Sequence, residues 1–141
     1  MNLDLESYRK ALNSFEALVA KTSDEEFMSG LDDVTRFGLK AGVIQNFEFT
    51  YELCWKFLQR WIRANISPED SDHPRTRKDL FRMAARYGLI DDPAPWFVYG
   101  DARNLTSHTY SESIAEEVYV IALKFIKDAG VLLNRLEKAN D

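Results

Sequence analysis

The chain has 141 residues, of which 45% are hydrophobic, 13% aromatic and 29% charged, with a formal net charge of -5. This length predicts a single domain spanning 1–141, and the apolar content excludes a disordered chain. The acidic balance excludes nucleic-acid binding through an overall positive field, so such binding would need a local basic patch. The sequence has no apolar run of about 18 residues, no basic and apolar leader, and one cysteine, Cys54. These features predict a cytoplasmic protein with no membrane span.

The first part of the chain predicts one amphipathic helix followed by a linker. Apolar residues recur in alternating steps of three and four, which places them on a single helix face. These residues are Leu5, Tyr8, Leu12, Phe15 and Val19. The linker at 21–30 has room for one short turn, which Ser23 and Glu26 would open as a capping box.

A longer and more aromatic helix is predicted next, with the same spacing over nearly three heptads. Its main face holds Ile44, Phe47, Tyr51, Cys54, Leu58 and Trp61. Phe49, Leu53 and Phe57 mark a second apolar face, so this helix is expected to be contacted from two sides. That is the profile of a central bundle helix, or of a helix that also serves a dimer interface. Two glycines weaken helix propensity near its beginning, which leaves the first residue open within 33–43.

Three further helices are predicted in the second half. Prolines break the chain at 67–74, and a short helix with Leu80, Ala84 and Tyr87 facing inward then stops at Gly88. Asp92-Pro93 is typical of an N-cap followed by proline at the first helical position. This helix is expected to fray or end within 106–109, where the residues are poor helix formers.

The last helix is predicted to open with Ser113 and Glu116 as a capping box. Its apolar side carries Ile114, Val118, Ile121, Phe125, Leu132 and Leu136. No stretch of the sequence alternates with the period of two that indicates a strand, and no Asn-Gly or Asp-Gly pair indicates a hairpin. The sequence therefore predicts an all-α bundle of four to five helices.

The common catalytic signatures are missing from the sequence. It contains no phosphate-binding glycine loop, no HExxH, no GxSxG and no CxxC. With two histidines and one cysteine, a zinc site would depend mostly on carboxylates, which argues against a bound metal. Cys54 lies within an aromatic stripe, where a buried and inert thiol is expected.

The segment 103–110 carries the side chains best suited to chemistry. If helical geometry continues, Arg103, Ser107 and Tyr110 share one face, with Asn104 and His108 on the adjoining face. An arginine fork suits phosphate and a histidine suits proton transfer near neutral pH, while Asn104 could orient the imidazole. The alternative is that Arg103 and His108 are helix-end cap residues and that Tyr110 is half buried.

Two further charged patterns lie on predicted helices. A basic face is formed by Arg75, Lys78, Arg82 and Arg86, with Arg77 beside it. It could hold an RNA backbone, a nucleotide phosphate or an acidic patch of a partner, or it could be a solvated face paired with nearby carboxylates. Glu48, Glu52 and Lys56 occupy one strip, on which Glu52 and Lys56 would form an i,i+4 pair and Glu48 could face Arg103. His73 is expected in a surface loop.

Several stretches resemble a known superfamily. Arg103-Asn104 with His108 and Tyr110 resembles the Rx4-6H motif of HEPN proteins, in the RNxxxHxY form of HepT-like toxins. The stretch 44–56 is similar to the core helix of the nucleotidyltransferase substrate-binding proteins, and 115–119 fits the same branch. The resemblance spans about Leu3 to Leu136.

The resemblance implies an up-and-down helical bundle, a homodimer and a partner of the MNT-type nucleotidyltransferase family. It implies that Arg103 and His108 cleave RNA without a metal or cofactor, through attack of the 2′-hydroxyl and a cyclic phosphate product, in a toxin–antitoxin system. The motif tyrosine, Tyr110, would accept AMP from the partner enzyme. Two alternatives remain: a non-catalytic module that binds substrate for the nucleotidyltransferase, and a purely structural dimerisation module.

Overall fold

The computed structural model describes residues 3–66 and 76–140 of the chain. They form six α-helices: α1 (Glu6–Thr22), α2 (Glu25–Ser29), α3 (Asp33–Asn65), α4 (Arg77–Arg86), α5 (Pro93–Leu105) and α6 (Glu112–Ala139). A short 3-10 turn, Thr106–His108, joins α5 to α6. No strand occurs within these two ranges, so the predicted all-α bundle is confirmed. The helix beyond the predicted five is α2, which occupies the linker where one short turn was expected.

Side-chain caps explain where three of the helices begin. Asp32 accepts a hydrogen bond from the Thr35 amide at 2.7 Å, which starts α3 at the early limit of the range left open by its glycines. Asp92 accepts from the Ala94 amide at 2.9 Å, and Pro93 follows it as predicted. Thr76 caps α4 by accepting from the Asp79 amide at 3.1 Å.

Two predicted capping boxes are wrong. Asp24, not Ser23, caps α2 by accepting from the Phe27 amide at 3.0 Å, because a carboxylate one residue later reaches that amide directly. Helix α6 begins after Ser111, not after Ser113. The Ser111 and Ser113 hydroxyls lie 3.1 Å apart and bond to each other, so neither caps the helix.

The helix end predicted at Gly88 is confirmed. Gly88 has a φ of 79°, the left-handed conformation that glycine adopts without strain. Its amide donates to the Ala85 carbonyl, and the Leu89 amide donates to the Ala84 carbonyl at 2.9 Å, which closes the last turn of α4. The proline break predicted at 67–74, with His73, lies outside the described residues.

The core lies between α1, α3, α5 and α6, and Phe125 of α6 is at its centre. The Phe125 ring is 5.1 to 6.2 Å, centroid to centroid, from five other aromatic rings. Those rings belong to Phe15, Phe47, Tyr51, Trp96 and Tyr99. The predicted stripes of α1, α3 and α6 are therefore confirmed as core-facing.

The second apolar face predicted for α3 is only partly covered. Phe57 is buried and Leu53 is partly buried, but Phe49 is 60% exposed. Position 49 therefore does not belong to the core of one chain. No helix in the described ranges combines the length and the hydropathy needed to cross a bilayer.

Two ends of the described chain are clasped together. The Leu3 amide donates to Asn140 Oδ1 at 2.6 Å, and Asn140 Nδ2 donates back to the Leu3 carbonyl at 2.8 Å. The side-chain amide of Asn140 thus donates one hydrogen bond to the Leu3 backbone and accepts one from it, as paired residues of two neighbouring strands do. This amide clasp ties the start of α1 to the end of α6.

Cys54 is buried within the core, as predicted. Its sulfur lies 3.0 Å from the Tyr8 hydroxyl, which donates to the Ala129 carbonyl at 2.7 Å. Burial raises the pKa of Cys54 to about 12. Burial and then the neighbouring Cys54 raise the pKa of Tyr8. An un-ionised thiol enclosed by the core is a poor nucleophile.

We expect the protein to lose stability as the pH rises above about 9. Burial, and then the hydrogen bond to Asp128, raises the pKa of Tyr99, while burial also raises the pKa of Cys54. In the unfolded chain these groups ionise first, so the unfolded state binds fewer protons and stability falls with increasing pH. Urea unfolding from about pH 8 to about pH 11 checks this. Tyr99→Phe should make the decline shallower, and a constant stability over this range would contradict the expectation.

Candidate functional site

Arg103 is held in place by α3. It lies in the last turn of α5, and its Nε donates to Glu52 Oε1 at 3.1 Å. Its Nη2 lies 3.9 Å from Glu48 Oε1, so Glu48 faces Arg103, which the sequence had left open. Because residues four apart share a helix face, Glu48 and Glu52 present two carboxylates to one guanidinium. The Nη1 of Arg103 donates to Thr106 Oγ1 at 3.5 Å, so two of its five N–H bonds are used within the chain and three can contact a ligand.

Glu52 is also bound by Arg77 of α4. Arg77 Nη1 lies 3.0 Å from Glu52 Oε1, and Arg77 Nη2 donates to Glu52 Oε2 at 3.1 Å. This is the two-pronged geometry in which arginine binds carboxylate most strongly. We call Arg77, Arg103, Glu48 and Glu52 the arginine–glutamate cluster. The i,i+4 pair predicted between Glu52 and Lys56 is wrong, since two arginines from other helices occupy the Glu52 carboxylate.

The shared face predicted for 103–110 depended on a continuous helix, and the helix does not continue. α5 ends at Leu105, and Thr106 Oγ1 donates to the Arg103 carbonyl at 2.7 Å. The 3-10 turn that follows carries His108 as its last residue. The Arg103 side chain donates to Glu52 and to Thr106 Oγ1, and within the described residues it bonds to no carbonyl at the end of α5, so it does not act as a helix-end cap there.

His108 and Tyr110 project from the turn into solvent. Their ring centroids are 6.2 Å apart at an interplanar angle of 68°, and the Tyr110 side chain is 85% exposed. The alternative of a half-buried Tyr110 is therefore wrong. Within residues 3–66 and 76–140, the His108 ring makes no hydrogen bond or ion pair, and the residue is exposed. This arrangement leaves the imidazole available for proton transfer.

Asn104 is exposed and makes no hydrogen bond to His108 in the part of the chain that the structure describes. It instead lines a groove of about 290 Å³ between α4 and α5, which we call the α4–α5 groove. The other walls of this groove include Tyr51, Lys78, Phe97 and Gly100. The predicted role of Asn104 in orienting the imidazole stays a prediction.

The predicted basic face lies on the solvent side of α4. Lys78, Arg82 and Arg86 are exposed, and Arg75 lies outside the described residues. The Lys78 ammonium and the Arg82 guanidinium lie 5.5 and 5.2 Å from the centre of the Phe97 ring. Arg82 pairs with Asp79 at 3.0 Å, as the solvated-face alternative expects. Lys78 has no carboxylate partner among the described residues, so its charge can meet an anion.

A larger groove, of about 520 Å³, lies on the other side of the turn and includes Tyr110. We call it the α3–α6 groove, because its remaining walls come from the first turns of those two helices. Phe37 on its wall is 52% exposed, and Lys40 and Glu116 form an ion pair at 3.5 Å across it. Both signs of charge thus border an apolar surface.

Sequence reasoning missed two parts of this region. The spacing of Glu48 and Glu52 marked a carboxylate strip, but their partners come from α4 and α5, which are distant in sequence. Gly100 was also missed: a Cβ there would lie 2.9 Å from the Tyr51 hydroxyl, so only glycine allows α5 to approach α3 this closely. The described residues contain no group of three or more His, Cys, Asp or Glu side chains arranged to hold a metal ion.

Comparisons with known proteins give one consistent family. Residues 3–138 match the model of the family described as nucleotidyltransferase substrate binding protein like. A Haemophilus influenzae protein named probable ribonuclease HepT is 36% identical over 138 residues, covering 98% of this chain and 94% of that protein.

Two solved structures share the fold. One, from Haemophilus influenzae, is described as the substrate-binding domain of a nucleotidyltransferase. It is 35% identical with a TM-score of 0.90 and covers 95% of this chain and 99% of its own. The other, from Thermus thermophilus, is 26% identical with a TM-score of 0.68, covering 92% of this chain and 98% of its own.

Proposed function

Because the chain belongs to the nucleotidyltransferase substrate-binding family, we propose that it is a HepT-like HEPN ribonuclease that cleaves RNA without a metal. In this proposal one domain, 1–141, forms a cytoplasmic homodimer and pairs with an MNT-type nucleotidyltransferase in a toxin–antitoxin system. The observation that carries it is that the last turn of α5 holds a guanidinium fixed by Glu52, Arg103, and the short turn that follows carries an exposed imidazole, His108. The relative named as a probable ribonuclease supports the same assignment.

The proposed reaction needs only proton transfer and charge stabilisation. A base removes the proton of the ribose 2′-hydroxyl, whose oxygen attacks the adjacent phosphorus and forms a phosphorane. The bond to the 5′-oxygen then breaks, an acid protonates that oxygen, and the products are a 2′,3′-cyclic phosphate and a 5′-hydroxyl. His108 would transfer the protons, and Arg103, fixed by Glu52, would stabilise the equatorial oxygens of the phosphorane.

A second copy of the chain would complete this chemistry. One histidine cannot act as base and acid in the same step, whereas a two-fold dimer brings a second His108 and a second Arg103. Exposed apolar side chains next to the turn support such a contact: Val34 is 82% exposed and Phe37 is 52% exposed. The mixed charges around the α3–α6 groove suit a surface that meets its own copy.

The proposal also assigns a role to Tyr110. Its hydroxyl would attack the α-phosphorus of a nucleoside triphosphate in the partner enzyme, losing its proton and releasing pyrophosphate. Its high exposure supports access by that enzyme. The added phosphate would sit beside His108 and Arg103 and repel RNA. Mass spectrometry after co-expression with the partner should find AMP on Tyr110. Wild-type protein whose activity is blocked by the partner but which carries no AMP would contradict this role.

Metal-free cleavage is the test of the proposed function. RNA incubated in EDTA with the purified dimer should be cut to products with cyclic phosphate ends. His108→Ala should lower the rate by about 10² to 10⁴-fold, because it removes the proton-transfer group. Arg103→Ala should lower the rate by a comparable factor, because it removes the guanidinium that stabilises the charge of the phosphorane. Ser107→Ala, an exposed change in the same turn, is the matched control and should leave the rate unchanged.

A second candidate function is a binding module that presents substrate to the nucleotidyltransferase and cuts nothing. The description of the solved Haemophilus influenzae relative as a substrate-binding domain favours it. It predicts no cleavage by the wild type, by His108→Ala or by Arg103→Ala. It also predicts that both variants weaken binding of substrate in the presence of the partner, whereas cleavage abolished by His108→Ala would contradict it.

A further inference from the structure

The α4–α5 groove has walls of four chemical kinds. Phe97 and Trp96 give an aromatic side, Lys78 gives a cation, and Asn104 gives an amide with both a donor and an acceptor. Asp101 adds a carboxylate that can only accept hydrogen bonds. An aromatic surface beside a cation and an amide is the set of groups that binds a base and its phosphate.

A buried polar atom lies in the wall of this groove. The hydroxyl oxygen of Tyr51 is fully buried, and it reaches this position because residue 100 is glycine. The Arg77 guanidinium lies over the Tyr51 ring, 5.5 Å from its centre, in the wall of the groove. Tyr51 therefore contributes packing to the wall of the groove rather than a hydrogen bond to a ligand.

The groove is joined to the candidate reaction site through the arginine–glutamate cluster. Arg77 lines the groove and shares the Glu52 carboxylate with Arg103. Asn104 on the groove wall is the residue after Arg103 on α5. A ligand in the groove would therefore lie next to a phosphate bound at Arg103.

We propose that the α4–α5 groove binds one nucleotide, whose base packs against Phe97 and bonds to Asn104, with its phosphate at Lys78. The volume of about 290 Å³ suits one nucleotide rather than a strand. When the nucleotide belongs to RNA, it is the neighbour of the cleaved phosphate, and this placement rests on the proposed function. A free nucleotide has the same chemistry and is the other source.

Binding by full-length His108→Ala dimer, which should not cut RNA, tests the groove. The probes are fluorescein-labelled hexanucleotides of A, C or U, followed by anisotropy, and unlabelled AMP or UMP as competitors. Phe97→Ala should weaken binding by about five- to a hundredfold, the range measured for loss of one base–aromatic contact. Phe97→Tyr, which keeps the ring, should bind within about twofold of the parent.

Control variants distinguish loss of the nucleotide site from loss of the fold. Val98→Ala, at an exposed neighbour on the same helix, should bind as the parent does. Asn104→Ala, at an exposed position outside the core, should weaken binding several-fold and change the preference among the three hexanucleotides. Equal affinity of Phe97→Ala and Val98→Ala, both with the parent's circular dichroism, would overturn the proposal, as would no binding of any probe.

Two readouts distinguish the groove from the ribonuclease. In the cleaving protein, Phe97→Ala should raise KM more than it lowers kcat. Phe97-dependent binding without any RNA cleavage would support the groove and count against the ribonuclease. If cleavage depends on His108 but binding is unchanged by Phe97→Ala and by Asn104→Ala, the groove proposal is overturned and the ribonuclease proposal is not. Phe97-dependent binding of AMP or UMP without binding of the hexanucleotides would support the groove with a free nucleotide as its ligand.

Discussion

Phe125→Ala is expected to lower the free energy of unfolding by about 3–5 kcal/mol, a large part of the roughly 5–15 kcal/mol that stabilises a typical domain. The Phe125 ring is fully buried and contacts aromatic rings from α1, α3 and α5. Alanine at this position loses the burial of a large side chain. It also leaves a cavity, because the four surrounding helices cannot move close enough to fill it. Urea denaturation followed by circular dichroism measures the change.

Phe125→Leu provides the matched comparison. It keeps an apolar side chain of intermediate volume, so we expect a smaller loss than for alanine. Val120→Ala, at an exposed position of α6, should change stability by less than about 0.5 kcal/mol. A loss for Phe125→Ala as small as that for Val120→Ala would show that the core is centred elsewhere.

If the protein is the proposed ribonuclease, Glu52→Gln is expected to reduce RNA cleavage by about a hundredfold while the protein stays folded. Glu52 is the carboxylate that both Arg77 and Arg103 bind, and its side chain is 24% exposed. A neutral amide of the same shape cannot hold two guanidinium groups, so Arg103 would leave the position from which it meets the phosphate. Rates in EDTA across a pH series measure the effect.

Glu48→Gln is the matched control for this change. Glu48 lies on the same strip of α3, but its carboxylate is 3.9 Å from Arg103 and bonds to no second arginine in the described chain. We expect a severalfold loss at most. Because Glu52 acts through Arg103, Glu52→Gln should lower the rate without moving the pH profile, which follows His108. Equal rates for the two variants would contradict the positioning role of Glu52.

Helices were predictable from the sequence because their signals are local. The stripe spacing in α1, α3 and α6 depends on 3.6 residues per turn, and the Asp92-Pro93 start and the Gly88 stop depend on one or two residues each. The capping boxes failed for the same local reason. Two oxygen-bearing residues stood within reach of each helix start, and the choice between Ser23 and Asp24 depends on backbone geometry.

The candidate site was only partly predictable. The motif residues Arg103 and His108 could be selected by chemistry, but the helix end at Leu105 decides how their side chains lie. Ion-pair partners depend on how helices pack: Lys56 is one turn from Glu52, yet Arg77 and Arg103, 25 and 51 positions away, bind it. Phe49 shows the same limit, since periodicity assigns a residue to a face and does not say what covers that face.

The amide clasp between Leu3 and Asn140 fixes where these two residues lie relative to His108. α6 has 28 residues, so at 1.5 Å per residue it runs for about 42 Å from the neighbourhood of His108 to the clasp. Leu3 and Asn140 therefore lie side by side at the end of α6 farthest from the turn that carries His108. A short peptide could join these two residues in a circular permutant without covering that turn.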